Sequence, residues 1–103
     1  MNTSIDPPWK AFPDLPRLSG ARFIGGAPEA HLQAWTSWFD GLSQNARLDY
    51  FREHQPIPAE WADWAGMQVF PELDAVDPEH AVARLHALGM TDLDAWRLWM
   101  DAL

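Results

Sequence analysis

Apolar side chains recur at helical spacing in two stretches of this chain. From Leu32 to Leu42 the sequence LQAWTSWFDGL puts Leu32, Trp35, Phe39 and Leu42 on one stripe, at i, i+3, i+7 and i+10. That is the spacing of an amphipathic helix whose seam faces a core. From Leu93 to Leu103 the sequence LDAWRLWMDAL carries Leu, Ala, Trp, Trp, Asp and Leu at the equivalent positions, with Met100 matching Phe39. The pattern predicts a helical domain in which two tryptophan-bearing helices share one core.

The remaining elements follow from punctuation. Residues 1–27 read as an irregular arm, because Pro7, Pro8, Pro13 and Pro16 each fix φ and remove a backbone donor. Trp9, Phe12, Leu15 and Leu18 are too large and apolar for a disordered tail, so the arm is expected to lie across the helices with Trp9 and Phe12 as anchors. Gly25 and Gly26 then permit a turn, and Pro28 with Glu29 suits the start of a helix running to about Leu42. Ser43 can cap a second helix over 44–53, which Gln55-Pro56-Ile57-Pro58 ends. Pro58 can open a third helix carrying Trp61, Trp64 and Ala65, with Gly66 near its end, and 67–76 reads as a loop or a short helical turn around Pro71. Asp77-Pro78-Glu79 is a strong helix start, with Ala81, Val82, Leu85 and Leu88 as the buried side and Gly89 as a left-handed terminus. Thr91, with Asp94 three residues on, is the expected cap of the last helix. The expectation is therefore all-α: one domain over 1–103, with four to five short helices in an irregular orthogonal bundle over 28–103 and the proline-rich arm over 1–27.

Six of the seven tryptophans fall in i, i+3 pairs, at Trp35/Trp38, Trp61/Trp64 and Trp96/Trp99. A chain of 103 residues encloses one modest core, and each indole brings roughly 150–250 Å² to bury. Trp35, Trp61 and Trp96 are assigned to that core, and Trp38, Trp64 and Trp99 to part-exposed flanking positions.

Charge adds a direction to this picture. Residues 1–54 hold five basic and six acidic side chains, whereas residues 55–103 hold only Arg84 and Arg97 against nine acidic ones. Glu60, Asp63, Glu72, Asp74, Asp77 and Glu79 fall in a stretch between Arg52 and Arg84 with no Lys or Arg. Such a field keeps a tryptophan-rich surface soluble, repels phosphate and attracts a basic surface. Direct nucleic-acid binding, which requires clustered cations, is not expected. The chain has no cysteine, which removes thiol and zinc-thiolate chemistry and fits a reducing compartment. With no signal-like start and no long apolar run, a cytoplasmic location off the membrane is expected.

No catalytic pattern stands out. His80 and His86 are six apart on one predicted helix, His31 and His54 sit on others, and no HExxH occurs. Neither a nucleophile elbow nor a phosphate loop is present. No metal, cofactor or catalytic residue is therefore assigned. Asp77 and His80 are spaced for a local ion pair, and Arg97 reads as a solvated or stacking residue.

The series Pro8-Trp9, Phe12-Pro13, Arg22, Gly25, Glu29, Leu32, Trp35, Trp38-Phe39, Leu42-Ser43, Arg47, Tyr50, Pro56, Pro58 and Trp61 resembles a pattern of small uncharacterised bacterial proteins. Those read PW..FP, then L..W..WF..LS, then P.P..W. The resemblance covers residues 8–61 and implies a bacterial origin and one structural unit joining the arm to the first helices. It implies no activity and no site residues. This chain has Ala21 where that pattern often has an aromatic residue.

The functional expectation is a non-catalytic protein-interaction module that binds a basic protein partner, of the inhibitor or immunity type. Its binding surface would combine Trp38, Trp64 and Trp99 with Glu60, Asp63, Asp74 and Asp77. The alternatives are a homo-oligomeric structural protein, closed as a dimer by the flanking tryptophans, and a small-ligand binder or enzyme with a pocket between arm and helices.

Overall fold

The computed structural model describes residues 5–13 and 26–102. Their elements are α1 (Pro8–Ala11), α2 (Gly26–Phe39), α3 (Gln44–Glu53), a 3₁₀ turn (Ala59–Trp61), α4 (Ala62–Val69), α5 (Pro71–Val76), α6 (Pro78–Ala87) and α7 (Leu93–Asp101). The chain is all-α, as the periodicity predicts. By its contacts it divides into two compact units, Met1–Ser43 and Gln44–Leu103.

In the first unit the stretch expected to be irregular contains one turn of helix. Pro8 occupies a first-turn position, where a missing N–H costs nothing and the fixed φ suits a helix. The N–H groups of Lys10 and Ala11 donate to Pro7 O and that of Phe12 to Pro8 O. Pro7 and Pro8 are fully buried, whereas the expected anchors Trp9 and Phe12 are half-buried. Phe12 meets His31 of α2 edge-on at 5.4 Å, and His31 Nε2 donates to Asp6 O at 2.8 Å. Leu15, Pro16, Leu18, Arg22 and Gly25 lie outside the described residues. Helix α2 starts at Gly26, whose φ is +74°, and ends at Phe39, earlier than the expected Leu42. Beyond it, Asp40, Gly41 and Leu42 donate back to the carbonyls of Thr36, Trp38 and Phe39 in tightening turns. Trp35 and Phe39, one helical turn apart, stack at 4.3 Å and are both completely buried.

In the second unit α3 has the predicted bounds. It serves the end of α4 directly, with Gln44 Nε2 donating to Val69 O at 3.1 Å and Arg47 Nη1 to Gln68 O at 2.9 Å. These two side chains satisfy last-turn carbonyls that a helix leaves open. The segment expected to be a loop or a short helical turn, 67–76, is almost entirely helical: α4 continues through Gly66 to Val69, and α5 follows at once. Pro71 starts α5 as a first-turn proline instead of breaking a helix, because a single non-helical residue, Phe70, separates the two. Asp77 plays the same joining part between α5 and α6.

Gly66 owes its place to packing. A Cβ there would lie 2.7 Å from the Ala81 Cβ and 3.3 Å from the Ala81 backbone carbon. Around this contact Ala62, Ala65 and Val69 of α4 and Ala81, Val82 and Leu85 of α6 are all buried. A seam of small side chains lets the two backbones approach closely.

The α6–α7 hairpin closes as expected at Gly89, φ +78°. Gly89 N–H donates to His86 O and Met90 N–H to Leu85 O, the paired bonds of a Schellman motif, with Met90 and Leu85 both buried as its apolar contact. The cap of α7 differs from expectation: Asp92, not Thr91, accepts the N–H groups of Asp94 and Ala95. The Thr91 hydroxyl instead donates to Ile57 O at 2.9 Å, while Ile57 N–H donates to Met90 O at 2.8 Å. The hairpin turn is thereby clasped to the chain just after the cis Gln55–Pro56 bond. Asp92→Ala should cost about 1 kcal/mol in chemical denaturation, and Asp92→Asn should recover most of it; an unchanged midpoint in the alanine variant would contradict the cap.

Candidate interaction surface

The division within each tryptophan pair follows the spacing. Trp35, Trp61 and Trp96 are buried. Trp64 is half-buried and meets Trp61 edge-on at 5.4 Å and Phe51 of α3 at 6.2 Å. Trp99, also half-buried, packs with Leu93 against a cluster of Ala62, Val82 and Trp96. Trp38 belongs to the first unit, where its half-buried ring is tilted against Phe39 at 6.1 Å.

Of the acidic candidates, Glu60 and Asp63 share one side of the 3₁₀ turn and α4 with Trp64. The buried residues Ala62, Ala65, Gly66 and Val69 occupy the opposite side. Glu60, Asp63 and Trp64 are half-buried, and Met67, at i+7 from Glu60, is exposed. Met67 is not among the residues expected on this surface; its i, i+3, i+4, i+7 relation to Glu60, Asp63 and Trp64 becomes readable once the helix is carried through Gly66. Asp63 Oδ1 accepts the Trp64 N–H at 2.8 Å. Asp74 is half-buried on α5. Asp77 is exposed, and its carboxylate accepts the Glu79 N–H at 2.9 Å instead of pairing with His80.

The two arginines of residues 55–103 are both engaged by nearby groups. Arg97 grips Glu79 with Nε at 3.1 Å and Nη2 at 3.3 Å, and Asp94 lies 3.6 Å from Nη1. The hydrogen bond from Arg97 to Glu79, and then the charge of Glu79, raise the Arg97 pKa above its ordinary value. Arg97 is thus a tie between α6 and α7 rather than a stacking residue. The Arg84 guanidinium lies 5.7 Å from the centre of the Phe70 ring. No ion pair forms at Glu72, Asp74 or Asp101 among the described residues.

In the first unit, Glu29, Leu32, Gln33, Thr36 and Ser37 of α2 line an open depression of about 390 Å³. Among the described residues, no three His, Asp or Glu side chains converge as a set of metal ligands, and no helix is long and apolar enough to cross a membrane. No family model matches the chain, and neither do any curated proteins or solved structures at a significant level.

Proposed function

We propose that this protein is a non-catalytic, cytoplasmic interaction module that binds a basic protein partner through an acidic and aromatic surface within residues 60–101, as an inhibitor or immunity-type protein would. The observation that carries this reading is the charge arrangement of residues 55–103. Their two arginines are engaged by Glu79 and by the Phe70 ring, while Glu72, Asp74 and Asp101 form no ion pair among the described residues. Uncompensated carboxylates steer a cationic surface toward the protein and speed encounter. The half-buried Trp64 and Trp99 and the exposed Met67 supply the kind of apolar and aromatic contact on which binding energy concentrates, and an indole face also suits an arginine.

Capture of partners from a host lysate tests the proposal. The tagged chain is compared with the isosteric variant Glu60→Gln/Asp63→Asn/Asp74→Asn/Asp77→Asn, in which the side chain at position 77 retains an oxygen that can cap α6. A basic protein retained at low salt, released at high salt and lost by the variant supports the reading. Equal retention by both chains contradicts it.

A further inference from the structure

The first turn of α7 has an acceptor for each N–H from Leu93 to Trp96, and one of those acceptors can be lost to a proton. A helix leaves its first N–H groups without intrahelical carbonyls. In α7, Trp96 N–H reaches Asp92 O at 3.1 Å, and Asp94 and Ala95 N–H share Asp92 Oδ1. Leu93 N–H donates to His86 Nδ1 at 3.1 Å. His86 lies in the last turn of α6, so its ring bridges the hairpin by a bond separate from the Asp92 cap. The same Nδ1 is 3.2 Å from the Thr91 carbonyl oxygen.

An imidazole nitrogen accepts only through a free lone pair and donates only when it carries a proton. Leu93 N–H and Thr91 O are therefore alternative partners of one atom. We propose that His86 is a pH-responsive latch on the α6–α7 hairpin. When neutral, with its proton on Nε2, it caps α7 through Leu93; when protonated, it releases Leu93 and donates to the Thr91 carbonyl. Thr91 also holds Ile57 through its hydroxyl, so the exchange takes place at the residue that clasps the turn to the 55–58 segment.

The ring is exposed, so a proton can reach it from solvent. It stands at the C-terminal end of α6, where a cation is favoured, although the N-terminus of α7 opposes it. The acidic groups on the elements around α6 are Asp92 and Asp94 at the start of α7, Glu60 of the 3₁₀ turn, Asp63 of α4, and Glu72 and Asp74 of α5. The ring's own helix carries Arg84 and Glu79, the latter held by Arg97.

The test is nuclear magnetic resonance of the full ¹⁵N-labelled chain between about pH 8 and pH 5, the range in which an imidazole changes charge. At the alkaline end the His86 ring should show an unprotonated Nδ1 and a protonated Nε2. On acidification the Leu93 amide proton should move upfield along the titration curve of His86. Its exchange with water should quicken several-fold relative to the Ala95 amide, whose acceptor is a carboxylate oxygen. In His86→Gln the Leu93 transition should vanish. A proton on Nδ1 at the alkaline end overturns the proposal, as does a Leu93 amide indifferent to His86 titration or a transition that survives in His86→Gln. The ring measurement is made on the unaltered chain, so the outcome does not depend on how the variant folds.

Discussion

Gly66→Val should destabilise the Gln44–Leu103 unit by about 3 kcal/mol, at the upper end of what overpacking costs, when followed by chemical denaturation. The cause is steric: the first added carbon would lie 2.7 Å from the Ala81 Cβ and 3.3 Å from the Ala81 backbone carbon. Backbone cannot yield as a flexible side chain does, so α4 and α6 must separate along the seam formed by Ala62, Ala65, Val82 and Leu85. Gly66→Ala is the sharper test, because alanine gains about 1 kcal/mol of helix propensity over glycine in a helix interior. On an open helix face that change stabilises; here the contact with Ala81 should more than offset it. A more stable Gly66→Ala protein would show that the two helices are not in this register.

The tryptophan pairs give the second large effect. Trp61→Ala and Trp96→Ala should each cost about 3–5 kcal/mol, the usual range for removing a buried indole. Trp64→Ala and Trp99→Ala, at half-buried positions, should each cost less than about half of that, since less surface returns to water. Trp61 and Trp64 touch edge-on, so their double variant should depart from additivity. Equal losses for the two members of a pair would contradict the division into core and surface tryptophans. Trp64→Ala, if it remains folded, also isolates the contribution of this ring to binding a partner.

Much of this arrangement is legible in the sequence because it depends on neighbouring residues. Asp77-Pro78-Glu79 opens α6 where its cap, first-turn proline and acidic residue predict, and Gly89 ends the helix in the left-handed conformation its position suggests. The tryptophan pattern sorts buried from flanking rings because helical spacing fixes which side of a helix each ring occupies. The departures come from contacts distant in sequence. Thr91 and Asp92 are both good caps in isolation, and the Ile57 carbonyl, 34 residues away, takes the Thr91 hydroxyl. Gly66 reads locally as a helix end, yet its role is to admit Ala81. Pro71 reads as part of a loop or a short helical turn, and one non-helical residue before it suffices to begin a new helix. On the candidate surface, Glu60, Asp63 and Trp64 can be placed together from their spacing alone. Met67 joins them only when the helix continues past Gly66, and the engagement of Arg97 by Glu79 depends on how α6 meets α7.

The most direct test of the proposed interaction is the association rate of the captured basic partner as a function of ionic strength, for the unaltered chain and for Glu60→Gln/Asp63→Asn/Asp74→Asn/Asp77→Asn. Electrostatic steering predicts fast association at low salt that falls steeply as salt rises, with the variant slower and its salt dependence flatter, while the dissociation rate changes less. Identical association rates and identical salt dependence in the two proteins would contradict an acidic surface as the basis of recognition.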